Sequence, residues 1–231
     1  MSRRPTLTTL RAIAPLAILP ENSLVRLLNC ASWITLNPGY CFIRQNDEPQ
    51  AVCFLLSGYV KIMRGQGIAL PCMPQGSKER RQRPRHDAMV ALIGPGNMVG
   101  EAAALLGGPE RASAITLTAC ELIRIPNDEF VSLMHASPAF AVAVAGKMAE
   151  RQVDVERQVE LMRGPLEGRV HALLRHCRSI GLDPENALTN AEIARMVGAT
   201  RVAVSPIMSR INGRGLPPRV GNSAALEAVA G

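Results

Sequence analysis

A glutamate and an arginine ten residues apart are the side chains of this sequence whose types and spacing best fit a ligand site. Glu101 follows Val99–Gly100, and Arg111 follows the turn residues Gly107–Gly108–Pro109. A carboxylate can accept hydrogen bonds from a ribose hydroxyl, and a guanidinium can donate a fork of hydrogen bonds to a phosphate. A short helical turn between them would offer free backbone N–H groups to the same anion. A surface ion pair beside a glycine–proline turn is the alternative, so the surrounding elements must decide.

Length and composition limit the classes of protein that this chain can represent. Its 231 residues fit one large or two small domains, and with 47% hydrophobic but 3% aromatic residues the core must be aliphatic. A formal net charge of +7 favours a polyanionic partner or an anionic ligand. The amino terminus lacks the apolar run of a signal peptide, and no apolar span has the length of a membrane helix. We therefore expect a cytoplasmic protein with no membrane partner.

Cysteine and histidine spacing argues against metal chemistry and against disulfides. No C-x-x-C pair occurs, so neither a zinc ribbon nor a cysteine-clustered iron–sulfur site is predicted. Buried, reduced thiols are the better interpretation of the six cysteines. No metal ligands and no catalytic residues are predicted, because a glycine-rich nucleotide loop, a nucleophile elbow and a metal motif are all missing from the sequence. The six cysteines are Cys30, Cys41, Cys53, Cys72, Cys120 and Cys177.

The first half of the chain changes from helical to β-rich patterning. Residues 15–30 predict a short amphipathic helix, with Leu24, Leu27 and Leu28 on one face. From Ser32 to Pro126, short β-rich runs separated by glycine, proline and asparagine turns predict antiparallel strands. The clearest strand segments are 52–56, 59–63, 89–93, 114–118 and 121–126.

A basic segment interrupts this β-rich region. Residues 64–87 are far longer than a hairpin loop, and five basic residues lie within Lys78–Arg85. Loops of this length are either functional or disordered. A solvated loop and an added contact to nucleic acid or to another protein both remain open.

A long helical pattern follows from Pro138 to about Met162. Its apolar positions repeat with spacings of three and four, with charged residues outside them, which favours a parallel pair of identical helices and hence a homodimer. Gly164–Pro165 then forms a hinge before the last segment. The predicted seam consists of Ala145, Met148, Gln152, Val155, Val159 and Met162.

A helix-turn-helix signature lies between residues 188 and 204. Ala194 leaves room where two helices cross, Gly198 can adopt the left-handed turn conformation, and Val204 and Ile207 can pack the second helix onto the first. Thr189 and Thr200 are expected to cap the two helices.

Together, these features resemble the CRP/FNR family of bacterial transcription regulators over roughly residues 15 to 216. The resemblance implies an α+β fold with a cyclic-nucleotide-binding-like β-roll at 15–137, a dimerisation helix at 138–163 and a helix-turn-helix domain at 166–231. It implies DNA and a second copy of the chain as partners, with RNA polymerase as a further candidate. Its implied ligand-binding positions are Gly100, Glu101, Ala102, Arg111, Ala112, Val155 and Glu156.

Several residues depart from the family's pattern. Cyclic AMP binders follow the phosphate arginine with Ser or Thr, whereas Ala112 stands here. Where the family offers Thr and Ser to the adenine, this chain has Asp154, Val155 or Glu156, of which the carboxylates could bond an exocyclic amine and the valine could not. A cyclic nucleotide is therefore the implied ligand, with cyclic AMP itself left open against another effector or none. In the recognition helix, Val202 and Pro206 replace a glutamate and an arginine, and the tail from Leu216 lacks the strands of the family's β-wing.

Two functions follow from this pattern. The first is a ligand-responsive, homodimeric transcription regulator, in which an effector in the β-roll controls the spacing of the helix-turn-helix units. The second is a cyclic-nucleotide-binding module that acts through protein contacts, its DNA-binding domain decayed. An enzyme is the weakest option. The residues expected at DNA are Asn190, Thr200, Arg201, Ser205, Ser209 and Arg210.

Overall fold

The structure is a computed structural model that describes residues 2–65, 88–161 and 163–214. The basic segment and the tail without β-wing strands, both singled out in the sequence, fall largely outside these residues. The elements as far as the helix that begins at Glu101 are β1 (Ser2–Arg3), α1 (Leu7–Arg11), α2 (Ala14–Ala17), α3 (Glu21–Cys30), β2 (Ser32–Leu36), β3 (Cys41–Ile43), β4 (Ala51–Ser57), β5 (Val60–Arg64), β6 (Ala88–Ile93), β7 (Met98–Val99) and α4 (Glu101–Leu106).

The remaining elements are two strands that complete the sheets and the helices that follow them. They are β8 (Ser113–Thr116), β9 (Cys120–Pro126), α5 (Asn127–Ala136), α6 (Pro138–Leu161), α7 (Leu166–Ser179), α8 (Pro184–Ala187), α9 (Asn190–Met196) and α10 (Arg201–Arg214). The strands form two antiparallel sheets, in the orders β1-β2-β9-β4-β7 and β3-β8-β5-β6. This arrangement confirms the predicted α+β class with an antiparallel β-roll.

One tight turn shows why the sheets need glycine at a particular position. Gly58 lies between β4 and β5 with φ +84°, and a Cβ there would come within 2.2 Å of the Ala119 carbonyl oxygen. A side chain would therefore meet both backbone strain and a steric clash. The turn brings β5 back beside β6 and β8, which supply part of the cavity described below.

The first hydrophobic core joins the amino-terminal helices, the β-roll and the start of α6. Phe130 packs against Phe54 and Phe140, with ring centroids 6.3 and 5.8 Å apart. Leu10 and Ile13 are buried in the same cluster. The core of the β-roll therefore includes residues before 15 and after 137, the two boundaries predicted for this domain.

Two local predictions are corrected by the structure. Residues 15–30 do not form one helix, because Pro20 lies in an extended conformation between α2 and α3. Cys30 is exposed rather than buried, because it is the last residue of α3 and lies beyond the fully buried Leu24 and Leu27. Cys41, Cys53, Cys120 and Cys177 are buried free thiols, as expected.

The helix-turn-helix unit has its own core and lies against the β-roll. Val170, Leu174, Ile193 and Val204 are fully buried in this second cluster, and Leu92 of β6 is buried in the same cluster. The Tyr59 hydroxyl donates a hydrogen bond of 2.9 Å to the Ile180 carbonyl oxygen. The two units therefore share a packed contact.

No single helix within residues 2–65, 88–161 and 163–214 is long and apolar enough to cross a membrane. Asn127–Ala136 and Pro138–Glu156 meet such a criterion only as a pair, which is bent by 114°.

Candidate effector site and nucleic-acid interface

A cavity of about 290 Å³ lies between the β-roll and α6. Its walls include β6, the segment 99–103 that opens α4, the segment 110–112 and the inner face of α6. Ligand residues expected from the sequence line this cavity, with one exception: Glu156 is not on its wall and instead accepts a hydrogen bond of 3.0 Å from Gln152. The expected residues that do line it are Gly100, Glu101, Ala102, Arg111, Ala112 and Val155.

At Gly100, the backbone that lines the cavity passes close to β4 and to Ile43. Its φ is +95°, and a Cβ would come within 2.8 Å of the Ala51 carbonyl oxygen and 3.3 Å of Ile43 Cδ1. Only glycine fits this conformation without displacing β4. The residue therefore sets where Glu101 enters the cavity.

Glu101 is almost completely buried and is held by an arginine of α6. Its exposed fraction is 2%, and Oε1 accepts a hydrogen bond from the Arg151 guanidinium. Arg151 also donates to the Met98 carbonyl oxygen at 3.1 Å. The second carboxylate oxygen of Glu101, Oε2, is buried and has no hydrogen-bond partner among the described residues. A buried carboxylate oxygen without a donor is costly, so this atom is suited to a hydroxyl donor from a ligand.

Arg111, in contrast, is exposed at the cavity mouth. Within the described part of the chain, its guanidinium has no hydrogen bond or ion pair. The cavity thus combines a cation open to an anion with a buried acceptor open to a hydroxyl. These two groups match the two ends of a sugar phosphate.

A second buried carboxyl group lies next to this site. Glu110 is 7% exposed and lines the same cavity. Burial and the neighbouring Asp47 carboxylate raise the pKa of Glu110 to about 7. Its backbone N–H and carbonyl bond to Asp47 and Asn46 at 2.8 and 2.7 Å, which anchors the residue to the turn after β3. The charge beside Arg111 therefore changes near neutral pH.

The helix-turn-helix geometry follows from its capping residues and its turn. Thr189 and Glu192 form a reciprocal capping box at the start of α9. Gly198 has φ +63°, and the Thr200 hydroxyl accepts a hydrogen bond of 3.3 Å from the Ala203 N–H at the start of α10. Ala194 is 3% exposed at the helix crossing. These four roles are those expected from the sequence.

The side chains expected to contact DNA differ in whether they already form hydrogen bonds or ion pairs within the chain. Arg201 is exposed and, within the described residues, has no hydrogen-bonded or ionic partner through its side chain. The Asn190 amide donates to Ser205 Oγ at 3.3 Å, and Ser209 Oγ donates to the Ser205 carbonyl at 3.0 Å. Arg210 forms an exposed ion pair with Glu167 at 3.2 Å. Arg201 is therefore the cation of this set that a partner can engage without displacing another contact.

The family comparisons agree with this geometry. A model of the cyclic nucleotide-binding domain matches residues 33–137. The cyclic AMP receptor protein of Thermus thermophilus is 28% identical over 174 residues, covering 74% of this chain and 73% of that protein. A CRP-like cAMP-activated global transcriptional regulator of Mycobacterium tuberculosis is 26% identical over 185 residues, covering 77% and 75%. The chain therefore contains a cyclic nucleotide-binding domain and is similar to CRP-type transcription regulators over about three quarters of its length.

A solved structure of another regulator shows the same fold. The c-di-GMP responsive global regulator CLP of Xanthomonas campestris superposes with a TM-score of 0.61 at 19% identity, covering 87% of this chain and 96% of that one. Because the similarity to regulators extends over three quarters of the chain, the alternative of a module acting only through protein contacts is not favoured.

Arg151 is the principal residue of this cavity that the sequence did not predict. It lies on α6 between Met148 and Val155, both of which also line the cavity. Burial lowers the pKa of Arg151 from its ordinary value. A basic residue within an apolar, inward-facing helical spacing was the available signal, because such a side chain needs a buried acidic partner.

Ser113 does not replace the missing hydroxyl at Ala112. Its side chain is fully buried, and its Oγ accepts a hydrogen bond of 2.9 Å from the Gln45 N–H. An anion beside Ala112 would therefore meet the Arg111 guanidinium and backbone groups rather than a side-chain hydroxyl.

The predicted seam of α6 is divided between two faces. Met148, which is half-buried, packs against the first core, and Val155, also half-buried, lines the cavity. Ala145 and Gln152 are exposed. The side chains of Val159 and Met162 lie outside the described residues. The exposed strip is displaced by one residue and consists of Val142, Gly146, Ala149, Val153 and Glu156.

Proposed function

We propose that this regulator is a homodimer that binds a cyclic nucleotide in the β-roll cavity and binds DNA through its helix-turn-helix unit. The observation that carries the proposal is the pairing, on one cavity wall, of the unpartnered Glu101 Oε2 with the open Arg111 guanidinium. A ribose hydroxyl would donate to Glu101, and the phosphate would accept from Arg111. The cell compartment that fits this function is the cytoplasm.

The cavity favours a small effector. Its volume of about 290 Å³ is just below the range for small-molecule pockets, which starts at about 300 Å³. A cyclic mononucleotide therefore fits better than a dinucleotide. On the adenine side, the available groups are Val155 and Gln152, so base selectivity would rest on apolar contact and one amide.

The exposed strip of α6 supports dimerisation. Val142 is 73% exposed and Val153 is 54% exposed, although both are apolar. They lie on one side of α6 with Gly146 and Ala149, at alternating spacings of four and three residues, which suits close packing against an identical helix. Because Arg151 is on the same helix, an effector that engages Glu101 would also act on the dimer contact.

A thermal-shift titration of the purified full chain tests the effector site. Cyclic AMP, cyclic GMP and cyclic di-GMP would each be added to wild type, Arg111→Ala and the control Arg124→Ala, which removes an arginine that does not line this cavity. A ligand present at about 100 times its dissociation constant should stabilise the native state by roughly 2.7 kcal/mol. We expect a cyclic mononucleotide to stabilise wild type and the control but not Arg111→Ala. Equal shifts in all three proteins would remove this cavity from consideration.

A mobility-shift assay tests the DNA-binding part of the proposal separately. The labelled DNA would be the promoter region upstream of the chain's own gene, with a scrambled duplex as competitor. Specific retardation is expected, and Arg201→Ala should abolish its sequence preference. Equal binding to promoter and scrambled DNA would contradict the proposed operator recognition.

A further inference from the structure

The outward face of α10 carries apolar side chains where a DNA-reading helix would be expected to be polar. Val204, Ile207, Met208 and Ile211 are buried against the rest of the helix-turn-helix unit, which fixes the orientation of α10. The opposite face presents Val202, whose exposed fraction of 82% exceeds that of the other exposed large hydrophobic side chains described.

Pro206 extends this apolar surface by one helical turn. Residues four apart on a helix are neighbours, with Cβ atoms about 5–6 Å apart. Pro206 is exposed and α10 continues through it to Arg214, so the proline does not end the helix as its type alone would predict. We call Val202 and Pro206 together the apolar ridge.

The surroundings of the apolar ridge fit DNA better than a hydrophobic protein surface. Arg201 precedes it at the amino-terminal end of α10, and Ser209 and Arg210 follow it, all exposed. The side chains at the start of a recognition helix reach the edges of bases in the major groove. Apart from the ridge, this face therefore offers Arg201, the Ser209 hydroxyl and, once it leaves its ion pair with Glu167, Arg210 to a polyanion.

Base chemistry narrows what the apolar ridge can read. In the major groove, thymine presents its C5 methyl group beside the O4 acceptor, whereas guanine, cytosine and adenine present only hydrogen-bond donors and acceptors. A valine can make no hydrogen bond there, but it can cover a methyl group. We propose that Val202, supported by Pro206, selects thymine in each operator half-site by contact with its C5 methyl group. This assignment rests on the proposed function. Arg201 would contact a neighbouring guanine.

Deoxyuridine substitution tests this assignment because it removes only the methyl group. Wild type would first be used to select duplexes from a random library, in parallel without nucleotide, with cyclic AMP and with cyclic di-GMP. Each conserved thymine of the selected half-site would then be replaced by deoxyuridine. At one thymine position we expect an affinity loss of about fourfold per half-site, the value of burying one methyl group.

Two variants test whether Val202 causes the difference in affinity between thymine and deoxyuridine duplexes. Val202→Ala should bind thymine and deoxyuridine duplexes equally, and its large exposure means that folding should be unaffected. The control Val25→Ala changes a 45% exposed valine on α3 and should keep the fourfold difference. Specific binding that is indifferent to deoxyuridine, or a deoxyuridine effect that persists in Val202→Ala, would overturn the assignment while leaving the proposed function intact. Failure to enrich any sequence under these three conditions and in a fourth selection with cyclic GMP would overturn both.

Discussion

Lys61 of β5 and Glu192 of α9 form an ion pair across the two units, with 2.5 Å between Lys61 Nζ and Glu192 Oε1. Both side chains are largely buried, with exposed fractions of 16% and 13%. Burial raises the pKa of Glu192, but hydrogen bonds from Lys61 and Thr189 outweigh it and leave the pKa below the ordinary value of 4.5. The pair therefore stays charged at neutral pH and would weaken only as pH falls below that value.

Reversing the charge of Lys61 should loosen this contact between the β-roll and the helix-turn-helix unit. Lys61→Glu would place two carboxylates together, at a cost of roughly 1–3 kcal/mol for the lost charged hydrogen bond. We expect faster protease cleavage near Gly164–Pro165, because the carboxy-terminal unit would separate more often. Limited proteolysis followed by mass spectrometry measures this directly.

A charge swap provides the control for that experiment. Lys61→Glu combined with Glu192→Lys restores opposite charges, although Glu192→Lys also removes the carboxylate that bonds to Thr189. Recovery of protease resistance should therefore be partial but clear. If Lys61→Glu is cleaved no faster than wild type, the ion pair does not hold the two units together.

Removing Arg151 should reveal the cost of burying Glu101. Arg151→Ala leaves a carboxylate with a 3% exposed side chain without its charged partner. Breaking a buried ion pair in this way costs roughly 3–5 kcal/mol. Combining it with Glu101→Gln removes the charge and should recover much of that loss. Urea unfolding of the two single variants and the double variant forms the cycle; additive losses would mean that the two side chains do not interact energetically.

The two faces of α6 should respond differently to an introduced charge. Val153→Glu changes the exposed strip and should yield a folded monomer, because a dimer would bury an unpaired carboxylate. Met148→Glu changes the face that packs on the first core and should instead lower thermal stability. Sedimentation velocity and thermal unfolding distinguish the two outcomes. An unchanged dimer in Val153→Glu would place the subunit contact elsewhere.

The sequence predicted those features of the structure that depend on neighbouring residues. Glycine and proline turns predicted the antiparallel sheets, and Thr189 and Gly198 predicted the helix-turn-helix, because capping and left-handed backbone depend on adjacent residues. Glu101 and Arg111 also reach one cavity, since the turn between them is short.

Contacts over long distances in the sequence could not be predicted in this way. The pairing of Arg151 with Glu101 requires α6 to lie across the β-roll, which no local pattern specifies. For the same reason, the predicted seam includes Met148, which packs on the first core, and Val155, which lines the cavity. Apolar side chains lie on two faces of α6, one toward its own β-roll and one outward, so spacing alone does not tell which face packs inside the unit.

Glu110 should make the stability of the protein depend on pH. The unfolded chain releases this proton near pH 4.5, but the folded chain holds it until about pH 7. Below pH 4.5 both states are protonated, so burial carries no ionic penalty. As pH rises from 4.5 to 7, only the unfolded state gains by ionising, and the free energy of unfolding falls by roughly 3 kcal/mol at most.

Glu110→Gln should therefore stabilise the protein at pH 8 and have little effect at pH 4. Urea unfolding at several pH values across this range measures the difference from wild type, which should grow between pH 4.5 and 7. Glu48→Gln, which removes an exposed carboxylate near the same turn, controls for the loss of one negative charge. If wild type and Glu110→Gln differ by the same amount at every pH, the Glu110 carboxyl group does not hold its proton in the folded protein.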